Sequence, residues 1–385
     1  MGLKHLLATF AVDAAHVLIV EAPGAWRTRV AIEHEVARRG WQLAVAAADA
    51  DVLVVAGTPG AQLSEKVESV WEQLPGPRSR NTVTDHSTPS TVRTVLDVVA
   101  AELLDTDRQI RDARERGGFD PKKMPDADAD ADADADAEGD PDSGDMDMSG
   151  GDDMDMDMSP SGIPLAEGGQ DRDGLEMDVL HVPLGPVLPF WPAGLVLRAT
   201  LQGDVVVAAK ADVLDENDRG SGRLSPIEHA ALRCDQVAGV LALAGWADGY
   251  TAAAGVRDAL IVGSGAASAT DLLDGLDHKI RRRWLLRWSL HGIGDLRRAD
   301  DLEPALWTHI GDVYDRLLDL IGRARADLAG TDRQGMPLHE LLALAERLVV
   351  GLDLATARLV VASLGIDTAS MSAAASHGPQ DAVRG

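Results

Sequence analysis

Residues 125–158 constrain the fold more than any other stretch. The run opens Asp126-Ala127-Asp128 and repeats Asp-Ala to Asp136. It then passes into Met146-Asp147-Met148 and Met154-Asp155-Met156-Asp157-Met158. It holds fourteen Asp and one Glu, Glu138, with no Lys or Arg. Like charges at this density repel, and little apolar surface is present to offset the entropy of ordering. The tract is therefore expected to be disordered, a linker between two folded parts.

At 385 residues the chain has room for two or three domains. Its net charge is −27, of which the tract's fifteen acids supply −15 and the rest −12. Nucleic acid is disfavoured as a partner, because phosphate binding needs a basic face. A membrane surface is excluded less strongly. Cys234 is the one cysteine, so no internal disulfide can form and no cysteine-ligated cluster can be held by this chain alone. No stretch has the length and apolarity of a membrane span. The start, Met1-Gly2-Leu3-Lys4-His5, reads as the lead-in to a strand rather than a signal peptide. The expected location is cytoplasmic, with peripheral contact at the inner face of the membrane left open.

In the first part, Val17-Leu18-Ile19-Val20 is a short apolar run stopped by Pro23-Gly24, which predicts a buried strand and a turn. Thr28 to Arg39 has helical spacing and ends at Gly40. Trp41 to Ala46 and Asp51 to Gly57 predict two more strands, the latter ending in Thr58-Pro59-Gly60. A helix is expected from Leu63 to Leu74 and one long helix from Ser90 to Arg116. Apolar strands alternating with helices predict a small parallel α/β sandwich. Its ligand site would lie beyond the carboxyl ends of the strands, at the two Pro-Gly turns. Neither turn has the spacing of a phosphate loop.

In the second part, Leu180 to Leu184 is a candidate strand. Leu195–Leu201 and Asp204–Asp212 predict an antiparallel hairpin turning at Gly203. Ser225-Pro226-Ile227-Glu228 then has the form of a helix start: a Ser cap, Pro at the first position and an acid in the first turn. Helical segments are expected from there to about Trp246, over Lys279–Ser289, Asp312–Leu328 and Leu338–Leu364, making a bundle. The fold class is thus α/β plus mainly α. Residues 10–118 form an α/β domain, 119–175 a disordered linker, 176–368 a β-hairpin with a helical bundle, and 369–385 a disordered tail.

Two stretches on opposite sides of the tract resemble two subunits of one machine. Ala50-Asp51-Val52-Leu53-Val54-Val55-Ala56-Gly57-Thr58-Pro59, continuing to Val70-Trp71-Glu72-Gln73-Leu74-Pro75-Gly76-Pro77-Arg78, is similar to a conserved stretch of the B subunit of bacterial complex I (NADH:quinone oxidoreductase). Gly185-Pro186-Val187-Leu188-Pro189, Gly194-Leu195-Val196-Leu197-Arg198 and Leu201-Gln202-Gly203-Asp204-Val205 resemble the start of its D subunit. Gly294-Asp295-Leu296-Arg297-Arg298 and Gly311-Asp312-Val313-Tyr314-Asp315-Arg316-Leu317-Leu318 look like two later D-subunit motifs, in the family's order. The resemblance covers about half of the chain in broken pieces. It implies kinship with the large subunit of [NiFe] hydrogenases as well.

The departures bear on function. The B-subunit family holds an iron–sulfur cluster on cysteines, whereas Ser79-Arg80-Asn81-Thr82-Val83 follows Arg78 here. The D-subunit family places histidines of its Gly-Pro loop at a quinone cavity. Those positions fall here on Leu188 and on Pro192 or Ala193, which neither donate a hydrogen bond nor carry a proton. The resemblance then implies a fused pair of retained scaffolds without the redox chemistry. The expected function is a non-catalytic pseudo-subunit, accessory or scaffold of a complex I-like or hydrogenase-like oxidoreductase, with protein partners and no iron–sulfur cofactor.

Other candidates are weighed against ordinary structural roles. Met146, Met148, Met154, Met156 and Met158 are thioethers of the kind that bind Cu(I), so copper handling is the alternative function. A drifting low-complexity repeat explains the same residues. The eleven histidines form no closely spaced metal-binding pair. Arg281-Arg282-Arg283-Trp284-Leu285-Leu286-Arg287-Trp288 can meet a membrane face or an acidic partner, or be an ordinary amphipathic helix. No acid/base pair or nucleophile constellation is visible in the sequence.

Overall fold

The computed structural model describes residues 12, 14–85, 87–116, 167–170, 176–215, 224–263, 266–297, 304–331 and 336–369. The acidic tract and the tail from residue 370 lie outside them. The first lobe runs β1 (His16–Glu21), α1 (Trp26–Arg39), β2 (Gln42–Leu43), β3 (Val52–Ala56), α2 (Ala61–Gln73), β4 (Ser79–Val83), α3 (Pro89–Leu104) and α4 (Thr106–Glu115). The strands form one parallel sheet in the order β2-β1-β3-β4. Every residue of β3 is buried, because a central parallel strand is covered on both faces, and its unbroken Val-Leu-Val-Val-Ala run fits that position.

Three expectations are corrected here. The strand expected over Trp41–Ala46 shrinks to Gln42–Leu43, since a short helical turn at Ala47–Asp49 takes over. β4 has no apolar run to announce it. It is an edge strand with only Ser79 and Val83 buried, so Arg80 and Thr82 face out. The single helix expected from Ser90 to Arg116 is two. Asp105 breaks it, leaving the α-helical region and accepting a hydrogen bond from the Arg108 amide as the cap of α4.

The second lobe opens with an antiparallel sheet in chain order: β5 (Glu167–Gln170), β6 (Glu176–Leu184), β7 (Leu195–Gln202) and β8 (Val205–Val213). The expected hairpin is its β7–β8 half, turning at Gly203 with φ +60°. The sheet goes beyond the hairpin, and its first strand falls inside the stretch assigned to the linker. Helices follow: α5 (Pro226–Leu243), α6 (Ala247–Val262), α7 (Ala266–Arg282), α8 (Trp284–Leu290), α9 (Val313–Leu328), α10 (Leu338–Val349) and α11 (Leu354–Ser363). Capping boxes start α5, at Ser225 and Glu228, and α9, at Asp312 and Asp315. The helix expected over Leu338–Leu364 is broken at Val350–Asp353, where the Asp353 carboxylate caps α11. The chain is therefore mixed α/β, with one parallel sheet, one antiparallel sheet and eleven α-helices among the described residues. No described helix is long and apolar enough to cross a membrane.

The lobes share α1. Ile32 and Val36 bury into the core of the parallel sheet, while Trp26 and Val30 bury into the core of the second lobe. The helical period makes this possible, because 26 and 30 lie on one stripe and 32 and 36 on another. β7 exchanges residues in the other direction. Leu195, Leu197, Ala199 and Leu201 enter the bundle core, and Val196, on the opposite face of the strand, enters the core of the first lobe.

Candidate functional site: the cavity between the lobes

The crevice beyond the carboxyl end of β3 is packed over, whereas Glu21 at the end of β1 and Gly24 of the first Pro-Gly turn line the open cavity between the lobes. Gly57, with φ +89°, lies so close to Ala25 that an added Cβ would stand 2.5 Å from the Ala25 Cβ. Pro23 stands against Gly194 of the second lobe in the same way. Beyond Thr58-Pro59-Gly60, the first turn of α2 is taken by Asp215. Its carboxylate accepts from the Gln62 amide at 2.9 Å and the Leu63 amide at 3.0 Å. A helix start that would suit an anionic ligand is thus satisfied from within the chain.

The open volume lies alongside β1 and α1 instead. It is a cavity of about 420 Å³, walled by β1, the Leu43–Val45 stretch, α1, loop 186–193, α5, α6 and the turn after α11. Loop 186–193 is pinned at three points. The Trp191 indole N–H donates to the Leu195 carbonyl at 2.8 Å. Arg358 donates to the Pro189 carbonyl at 3.0 Å, and the Thr368 hydroxyl to the Ala193 carbonyl at 2.7 Å. Phe190 is held at φ +57°, in the left-handed region that a bulky residue rarely enters, with its ring edge-on to Tyr250 at 5.7 Å. Leu188, Pro192 and Ala193, the residues compared above with the Gly-Pro loop of the D-subunit family, all line this cavity.

One side of the cavity is a linked set of carboxylates and guanidiniums. Arg29 of α1 binds Glu21 at the end of β1, Glu33 one turn along, and Asp235 of α5 at 2.5 Å. Arg257 of α6 reaches the other Asp235 oxygen at 2.7 Å, Glu33 at 3.3 Å and Asp258 at 2.8 Å. His34 then meets Asp258 at 2.8 Å. These bonds join α1 to α5 and α6, so they hold the lobes together. Burial pushes the Glu21 carboxyl up to about 7, and the neighbouring Asp235 and Glu33 charges add to it, against the pull of Arg29. The Asp258 hydrogen bond raises His34. Burial, foremost, pushes the Cys234 thiol up to about 12, so this sulfur stays protonated in the core.

The two later motifs of the second lobe also meet. Leu296 and Gly311 pair as an isolated bridge, and the buried Arg316 guanidinium donates to the Gly294 carbonyl at 3.0 Å and the Gly311 carbonyl at 2.8 Å. Asp312 caps α9 and accepts from the Gly292 amide at 2.9 Å. Arg316 also donates to the Ser363 hydroxyl at 2.9 Å, and Asp312 meets His291 at 3.0 Å, while one buried Arg316 nitrogen is left without a partner. The Arg281–Trp288 segment spans the junction of α7 and α8. Trp284 and Trp288 are 74% and 73% exposed, while Leu286 is buried.

Met146, Met148, Met154, Met156 and Met158 lie outside the described residues. Among the described residues, no group of three or more His, Cys, Asp or Glu side chains is arranged to hold a metal ion. Sequence reading misses Glu21, Arg29, Glu33, Asp235 and Arg257, which converge from four elements. The available signal is a short charged group within an otherwise mostly apolar helix: Arg233 and Asp235 in α5, and Arg257 with Asp258 in α6. Comparison of the chain with protein-family models, with curated proteins and with solved structures finds no match.

Proposed function

We propose that this protein is a non-catalytic pseudo-subunit, an accessory or scaffold that docks on a complex I-like or hydrogenase-like oxidoreductase. The observation that carries the reading is the make-up of loop 186–193. It sits between two lobes that resemble two neighbouring subunits, and it offers Leu188, and Pro192 or Ala193, where that family has two histidines. The charged groups beside it are tied to one another across the lobes, which suits holding a shape better than moving protons. The meeting of the Gly294 and Gly311 motifs through Arg316 gives both a structural purpose in the same chain.

The test is purification of the tagged full chain from its own cells after mild cross-linking, with quantitative mass spectrometry. Subunits of one oxidoreductase recovered at near-equal stoichiometry support the reading. Recovery of the chain free of such subunits under conditions that keep the oxidoreductase intact contradicts it.

A further inference from the structure

We infer that the cavity between the lobes is a binding site for a small amphipathic organic cation, an amine with an apolar body. This goes beyond the scaffold reading and does not depend on it. The volume, about 420 Å³, is in the range that encloses a drug-sized molecule. Four carboxylates line it, those of Glu21, Glu33, Asp235 and Asp367, against two guanidiniums, those of Arg29 and Arg257. Arg233 stands behind this wall, bonded to Gln236 and the Gly365 carbonyl and acting on Asp367, so with all groups ionised the excess is one negative charge, which a cation relieves and an anion worsens. The remaining wall is apolar and aromatic. Phe190, Trp191 and Tyr250 offer ring faces and edges, and aromatic faces attract an ammonium group.

The wall is built in advance. The three bonds fix the backbone of loop 186–193 and its junction on either side of Phe190, whose own backbone is left-handed, and one of them holds the Trp191 indole. A pre-formed wall lowers the ordering cost of binding. A hydrated inorganic cation finds too few polar partners on the apolar side, and a neutral ring leaves the charge excess unanswered. The groups that act on Glu21 are Arg29 and Glu33 from α1 and Asp235 from α5, while Tyr250 and Arg257 from α6 and Asp367 from the turn after α11 line the same cavity. Within this set the Glu21 carboxyl is the one pushed up to about 7, so the charge excess grows as pH rises through that value.

The experiment is calorimetric titration of the full chain with three probes of one shape: 4-phenylbutylamine, 4-phenylbutanol and 4-phenylbutyrate. The amine is expected to bind at least about tenfold more tightly than the alcohol at pH 8, with no saturable binding of the carboxylate. Its affinity is expected to rise about tenfold from pH 6 to pH 8 as Glu21 ionises, a measurement that needs no variant. In Glu21→Gln, whose folding is checked by its circular dichroism, both the amine preference and the pH dependence shrink to about threefold or less. Equal or tighter binding of the alcohol or the carboxylate overturns the inference. So does the absence of saturable amine binding at millimolar concentration, or an amine affinity that is flat with pH. None of these outcomes bears on whether the chain docks on an oxidoreductase.

Discussion

At the scale of single residues, Glu21 is where burial and charge compete most openly. Its carboxyl ends a buried strand, and Arg29 reaches it while also serving Glu33 and Asp235. Desolvation wins, and the folded state binds the proton up to about pH 7, where an unfolded chain releases it near 4.5. The stabilising contribution is therefore fully present below pH 4.5 and lost as pH rises through about 7. It is on the order of 3 kcal/mol across that window. Glu21→Gln is expected to flatten this part of the stability–pH curve, read as urea midpoints from pH 4.5 to 8. Arg257 shows the opposite case. Its side chain is 4% exposed and neutralises carboxylates on three helices. Arg257→Ala leaves Glu33 and Asp235 to share Arg29 alone and should cost about 1–3 kcal/mol, measured by denaturant unfolding at pH 7.

At the scale of elements, legibility follows how local the physics is. β1 and β3 can be read because unbroken apolar runs suit central parallel strands, and the β7–β8 turn because Gly203 supplies its left-handed backbone. The caps of α5 and α9 are local as well, written as Ser225 with Glu228 and Asp312 with Asp315. β4 is hidden because an edge strand buries only two of its five residues. The break at Asp105 is hidden because the apolar spacing runs on from Leu103 to Ile110, and the capping bond to Arg108 decides against it. The site is the least legible of all. Glu21, Asp235 and Arg257 come together only through the packing of α1 against α5 and α6. α2 illustrates the same dependence. Its first turn is capped by Asp215, 152 residues away from Leu63. Asp215→Ala should cost about 1–2 kcal/mol, because the helix loses its acceptor and φ +55° no longer suits the residue. Asp215→Asn tolerates that backbone but keeps only one of the two acceptors, setting its NH2 against the other amide, and should cost less than the alanine, about 0.5–1 kcal/mol. Thermal unfolding of the two variants side by side checks this.

At the scale of the whole molecule, α1 and β7 each contribute to both cores, and the ion pairs of Arg29 and Arg257 cross between the lobes. Neither lobe can lose its structure without exposing part of the other's interior. The chain is expected to unfold in one transition, with tryptophan fluorescence and far-ultraviolet circular dichroism giving coincident midpoints. Two separated midpoints would mean that the shared helix contributes little. This interlocking fixes one lobe against the other through the chain's own side chains.

Under the proposed reading, lobes that resemble two electron-transfer subunits serve for shape rather than for redox chemistry. The most direct test of that reading is the iron content and visible spectrum of the full chain, purified anaerobically without chelator, together with its rate of electron transfer to a dye acceptor. The account predicts substoichiometric iron, no visible iron–sulfur absorbance and no turnover above the protein-free rate. Stoichiometric iron with that absorbance, or sustained turnover by the isolated chain, would contradict it.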